Sequence, residues 1–173
     1  MEKIILVFPT EQYEEQAKEF ILEFKKYNSN INGTGGLHRY TDNYKEWLEK
    51  INDGLTNSSS DQVPAITYFA VREQDNCIVG MINIRYYLNK VLLEHGGHIG
   101  YGVRPTERQK GYATEILRLG LNYCKELGLD KVLVTCDKSN IGSAKTIQKN
   151  LGILENEVLA ENEIVQRYWI DIN

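Results

Sequence analysis

The sequence predicts an α/β (α+β) fold, and three observations predict it. Short apolar runs bounded by Pro, Gly, Asn or Asp read as strands. Longer stretches place apolar residues three and four apart, as one face of a helix does. The two kinds of segment follow the order β, α, α, β, β, β, α, β, α, β, β, which gives about seven strands and about four helices. The chain has 173 residues. That is enough to bury a core without disulfides or metal, so residues 1–173 are expected to form a single domain.

Each element has a local reason. Lys3 to Phe8 is an apolar run stopped by Pro9, and Thr10 is placed to cap the helix that follows. Tyr13, Ala17, Phe20, Ile21 and Phe24 form one helical face. Asn28 to Gly36 is rich in Asn and Gly and reads as a loop. Thr41 is expected to cap a second helix carrying Tyr44, Trp47, Leu48 and Ile51 and ending near Gly54. Thr56 to Gln62 reads as a surface loop. Ala65 to Arg72 and Cys77 to Tyr87 form a hairpin around Glu73 to Asn76, and Gly80 marks a bulge. After the connector Asn89 to Gly97 comes a strand, His98 to Val103. A helix runs from Gly111 to Leu127, with Gly128 as its stop. Lys131 to Cys136 reads as a buried strand. Asn140 caps a fourth helix that reaches about Asn150. Ile153 to Leu159 and Glu163 to Ile172 close the chain as an antiparallel pair around Glu161 and Asn162.

Composition narrows the function. Hydrophobic residues make up 42% and charged residues 25%, ordinary values for a soluble globular protein. The net charge of −4 and the scatter of the basic residues speak against nucleic acid as a partner. Cys77, Cys124 and Cys136 are odd in number and far apart, so no disulfide framework is expected. No stretch reaches membrane-spanning length and the first residues do not read as a secretory signal, so the expected location is the cytoplasm, away from the membrane. His95-x-x-His98 lacks further ligands at fitting intervals, and no metal is expected.

The most informative segment is V-R-P-T-E-R-Q-K-G-Y-A-T, from Val103 to Thr114. It joins a strand to a helix, with Arg108 and Lys110 just ahead of Gly111. A helix mouth leaves several N–H groups without partners and carries the positive end of the peptide dipoles. Together they seat a phosphate or diphosphate, and a glycine there lets the ligand reach the backbone.

The spacing Arg108-x-x-Gly111-x-Ala113 resembles the acyl-CoA diphosphate loop of the GNAT N-acetyltransferase superfamily. A second segment resembles it too: Asn140, Ala144 and Gly152 fall where that family has Asn, Ala and Gly, although Ile153 stands in place of the usual Phe. The order of elements matches the same fold from end to end. The resemblance implies a mixed, mostly antiparallel central sheet flanked by helices. It implies acetyl-CoA as acyl-donor substrate, and a small-molecule or peptide primary amine as acceptor. Arg108, Gln109, Lys110, Gly111, Tyr112, Ala113 and Thr114 would surround the diphosphate. Gly102 and Val103 would pair with the pantetheine arm and supply the oxyanion donor, and Asn140 and Ser143 would steady the arm from the opposite wall. Closing strands in such folds often meet a partner, so a homodimer is compatible with it.

Acyl transfer from a thioester to an amine needs a neutral amine, a donor for the oxyanion and a proton for the departing thiolate. His98 is the first choice of base because imidazole titrates near neutrality, with Glu94 and His95 as neighbours and a structural histidine as the competing reading. The family's usual acid is a Tyr four residues after the helix alanine, where this chain has Gln148. Tyr101, Tyr112, Tyr123 and Tyr168 are the candidate replacements, Tyr101 being the one on the strand beside the cleft. Tyr13, Tyr40, Tyr44 and Trp47 could line an acceptor pocket or fill a core, and His38 and Arg39 could form a lid. Cys124 and Cys136 are expected to pack rather than react. Two other functions remain open. One is a non-catalytic acyl-CoA sensor, and the other is an anion-binding domain acting on nucleotides or phosphosugars.

Overall fold

The computed structural model describes residues 2–57, 62–160 and 162–173. The strands are β1 (Ile4–Val7), β2 (Ala65–Arg72), β3 (Cys77–Arg85), β4 (Ile99–Val103), β5 (Lys131–Asp137), β6 (Ile153–Ala160) and β7 (Glu163–Asp171), and the helices are α1 (Glu14–Lys26), α2 (Tyr44–Asp53), α3 (Tyr112–Glu126) and α4 (Ile141–Lys149). They form a seven-stranded sheet ordered β1-β2-β3-β4-β5-β7-β6. Every neighbouring pair is antiparallel except β4 and β5. The expected mixed, mostly antiparallel GNAT-like sheet is therefore present.

Alternation along the strands sends side chains to two faces. Ile82 and Ile84 of β3 pack with Ile116 and Leu117 of α3, and Ile147 of α4 joins the same cluster. Met81 turns to the other face, where it meets Phe20, Phe24 and Trp47 from α1 and α2. The periodic residues Ala17, Phe20, Ile21 and Phe24 are all buried, as their spacing requires.

Boundaries moved where local chemistry differed from the expectation. Thr10 precedes a short 3-10 turn (Glu11–Tyr13) and its side chain caps nothing. Asn43, rather than Thr41, caps α2 by accepting from the Glu46 amide. The bulge beside Gly80 is real: Ala70 faces Gly80 and Val71 faces Ile78, which leaves Val79 as the extra residue. The connector before β4 contains a π-turn, Leu92–Gly96. Residues 58–61 of the expected surface loop and residue 161 of the last turn lie outside the described residues.

The joint between β4 and β5 shapes the site. β4 pairs with β3 along all five of its residues, but meets β5 only at Ile99 and Val134. Beyond that point the two parallel strands part, and the gap is the mouth of a cleft.

Candidate active site

The cleft has a volume of about 1040 Å³ and lies between β4 and β5, with α3 and α4 opening onto it. Its first wall is main chain. Arg85 N–H donates to His98 O at 2.8 Å and Arg104 N–H to Val79 O at 2.9 Å. In an antiparallel ladder this parity turns the polar groups of Gly100 and Gly102 toward β3. The main-chain groups of Tyr101 and Val103 then point the other way, to the edge left open beyond the joint. Of the expected pair Gly102 and Val103, geometry gives the free edge to Val103, with Tyr101 as its companion. Gly102 serves differently: a Cβ there would come within 2.8 Å of the Asn32 carbonyl, so its bareness lets the loop after α1 lie against β4.

That edge leads to the mouth of α3. Gly111 occupies the N-cap position at φ 91°, and no side chain caps the helix. Gln109 is also left-handed, at φ 62°. The amides of Gln109, Lys110, Gly111, Tyr112 and Ala113 donate to no protein acceptor among the described residues. Such a run of unused amides over a helix start is an anion seat. Arg108 leans across it, its Nε donating to Val103 O at 3.2 Å and its Nη2 to Ser29 Oγ at 2.7 Å, above the ring of Phe24.

Two members of the loop offer their backbone but not their side chains. Lys110 Nζ turns away to Glu107 at 2.9 Å. The Tyr112 ring is buried, and its hydroxyl accepts from Arg72 at 3.3 Å. Glu107 also pairs with Arg72 at 3.0 Å, so these charges brace the outer side of the loop. Ala113 and Thr114 face the cleft.

The second wall is side chain. Asn140 caps α4 by accepting from the Ser143 amide at 3.1 Å. Ser143 Oγ lies 2.8 Å from the Tyr101 hydroxyl, which joins β4 to α4 across the cleft. Burial pushes the Tyr101 phenol up to about 12, so it holds its proton at neutral pH. Gln148 is exposed and does not line the cleft.

His98 does not fit the role of base. It is buried, and its Nδ1 accepts from the Leu133 amide at 2.9 Å. That bond places the ring proton on Nε2 and leaves no lone pair for a substrate. Burial first, and then the charge of Arg85, lowers its pKa to about 4. His98 fastens the joint between the strands instead, since its own amide also donates to Leu133 O at 2.7 Å.

His95 does line the cleft, and its Nδ1 is sealed from solvent without a partner. Arg85 lines it too, a residue the sequence reading passed over. The only signal was a charged residue ending a mostly apolar strand, C-I-V-G-M-I-N-I-R.

The other candidates stand elsewhere. Tyr44 and Trp47 are core, the Trp47 indole donating to Gly35 O at 3.1 Å. Tyr13, Tyr40, His38 and Arg39 do not line the cleft, nor do Tyr123 and Tyr168. Burial raises the thiols of Cys124 to about 12 and Cys136 to about 11, which keeps both unreactive near neutrality. Among the described residues no group of three or more His, Cys, Asp or Glu could hold a metal. No helix there is long and apolar enough to cross a membrane.

Known proteins share this fold. An uncharacterized N-acetyltransferase of Bacillus subtilis (strain 168), YnaD, is 34% identical over 80 residues; the match spans 46% of this chain and 44% of that relative's length. The microcin self-immunity acetyltransferase MccE, whose crystal structure is in complex with acetyl-CoA and AMP, superposes with a TM-score of 0.70 at 17% identity, over 98% of this chain and 93% of that one. Spermidine/spermine N-acetyltransferase SpeG from Vibrio cholerae superposes with a TM-score of 0.65 at 13% identity, over 98% and 93%. At such identities these structures speak for the fold alone. Residues 8–151 match the family described as acetyltransferase (GNAT) domain, and the chain belongs to that family.

Proposed function

We propose that the protein moves an acetyl group from acetyl-CoA to a primary amine by direct attack in a ternary complex. One observation carries the reading: the open edge at Tyr101 and Val103 runs straight into the uncapped α3 mouth. This makes one line of unused main-chain donors along the cleft. The amides of 109–113 and the Arg108 guanidinium hold the diphosphate. The β4 edge takes the pantetheine amides as an added strand would, with Asn140 and Ser143 on the far side. The complex of MccE with acetyl-CoA supports the choice of donor, and the spermidine acetyltransferase supports an amine acceptor.

Each proton has a place. As the amine nitrogen bonds to the thioester carbon, its proton passes to His95, the only imidazole on the cleft wall among the described residues. An N–H of the β4 edge receives the negative charge growing on the oxygen. The carbon–sulfur bond breaks, and the Tyr101 hydroxyl gives its proton to the departing thiolate. Solvent then reprotonates Tyr101 and removes the proton from His95.

The test combines calorimetry with acetyl-CoA and an assay of thiol release with a panel of primary amines. Tyr101→Phe is expected to lower kcat about tenfold or more while leaving the acetyl-CoA Kd within about twofold. Binding without release for every amine would favour a non-catalytic acyl-CoA module, and absence of binding would sink the proposal.

A further inference from the structure

Arg85 is an arginine whose charge meets no carboxylate among the described residues. Arg72, Arg104, Arg118 and Arg167 each hold a carboxylate. Arg39 and Arg108 are exposed. Arg85 alone is half-buried with no acidic partner among the described residues, and burial is the cause that lowers its pKa. Removing a guanidinium from water without a counter-ion is costly. Such a group is retained where a ligand completes it.

The geometry shows where that ligand would sit. Nη1 is spent on the carbonyls of Gly96 at 3.2 Å and Gly97 at 3.0 Å, which anchors the planar head beside the joint of the strands. Nε and Nη2 donate to no acceptor among the described residues and are not sealed off. A Cβ on Gly100 would lie 4.0 Å from Nη2 and 3.5 Å from Gly33. The guanidinium therefore lies over the bare glycine face of β4, under the loop after α1, on the opposite face of the sheet from Tyr101.

The acids of the cleft are too occupied or too far to answer it. Glu107 is held by Arg72 and Lys110. Asp137 lies three residues past Val134 on β5, about 10 Å along the strand. The diphosphate seat at the α3 mouth is at the other end of β4.

We propose that the acceptor is a small primary amine that also bears a carboxylate, and that Arg85 binds that carboxylate while the amine faces the thioester. The proposal rests on the acetyl-transfer reading above and adds the acceptor's charge. A planar fork with one edge anchored and the other free suits a carboxylate. The same site disfavours a polyamine, whose added cation would meet Arg85.

Matched pairs test it: glycine against glycinamide and L-lysine against L-lysinamide, with spermidine and phosphoethanolamine as further acceptors. Thiol release is followed with acetyl-CoA, and calorimetry reports acetyl-CoA binding separately. The acids are expected to exceed their amides in kcat/KM by about thirtyfold, with Arg85→Gln reducing that ratio to about threefold and Arg85→Lys retaining most of it. A ratio between two acceptors is unaffected by a general loss of folded protein, so an unfolded variant would not imitate this result. If acetyl-CoA binds and amides or spermidine react as well as the acids, this inference falls while acetyl transfer stands. Preference for phosphoethanolamine overturns the carboxylate, and failure of every acid to bind or react overturns the proposal as well. If acetyl-CoA does not bind, both readings fall together.

Discussion

Two helices begin on opposite walls of one cleft, and they begin differently. α4 is closed by the Asn140 side chain, which answers the Ser143 amide. α3 starts at a left-handed glycine and is closed by nothing. An unanswered helix mouth is unfavourable unless water or a ligand completes it. The contrast separates two kinds of wall: one leaves its backbone donors unused, and the other satisfies itself and presents side chains. The walls meet at the single Ile99–Val134 pairing, next to which His98 bonds twice to Leu133.

The sharpest way to break this contrast is to spoil the open mouth. Gly111→Glu sets a carboxylate against the proposed diphosphate seat and imposes a side chain at φ 91°. Acetyl-CoA affinity is expected to fall about a hundredfold by calorimetry. Gly111→Asn tolerates the left-handed backbone and adds no charge, so its loss should be nearer tenfold. Equal affinities for the wild-type protein and Gly111→Glu would show that the amides of α3 do not bind the ligand.

The joint makes a claim about pH. The His98 pKa is lowered from 6.5 to about 4 in the folded protein. Between those values the unfolded chain binds the proton more readily, so stability falls as pH drops through that window and is fully restored above it. Urea unfolding at pH 7 and pH 5 should show about 1–2 kcal/mol of acid loss that depends on His98. His98→Asn keeps an acceptor for the Leu133 amide and removes the titration, so its stability should vary less over the same window. Burial and the charge of Arg39 also lower the His38 pKa, so the quantity to compare is the difference between wild type and variant. An identical acid loss in both would remove His98 from the joint's pH response.

Much of the fold was legible because it follows from periodicity and capping. The stripe Ala17, Phe20, Ile21 and Phe24 buries as written, Asn140 caps as written, and Gly128 ends α3 at φ +80°. The start of α3 was legible as well, since a glycine at a helix start is a local signal. What escaped notice depends on non-local pairing. The open edge belongs to Tyr101 and Val103 because β3 claims Gly100 and Gly102, and no pattern within β4 reveals which side β3 takes. His98 was drawn toward catalysis by its ordinary titration range, whereas its neighbour across the sheet, Leu133, commits its Nδ1. Arg85 read as a strand end; that it lacks a counter-ion among the described residues becomes visible only when every arginine's surroundings are known.

The smallest expected effect tests the self-satisfied wall. Asn140 is exposed, and its structural work is one bond to the Ser143 amide. Asn140→Ala should cost about 1 kcal/mol of stability in urea unfolding, the ordinary worth of such a cap. Acetyl-CoA affinity should fall by less than about threefold, because the loss frees an amide on the α4 side without touching the proposed diphosphate seat. Asn140→Asp keeps the cap bond and should recover most of the stability. The two readouts separate the roles that one residue could hold here. A stability loss with little change in affinity keeps α4 as the closed partner of an open α3. An affinity loss as large as that of Gly111→Glu would make both helix starts ligand sites, and the distinction between the walls would disappear.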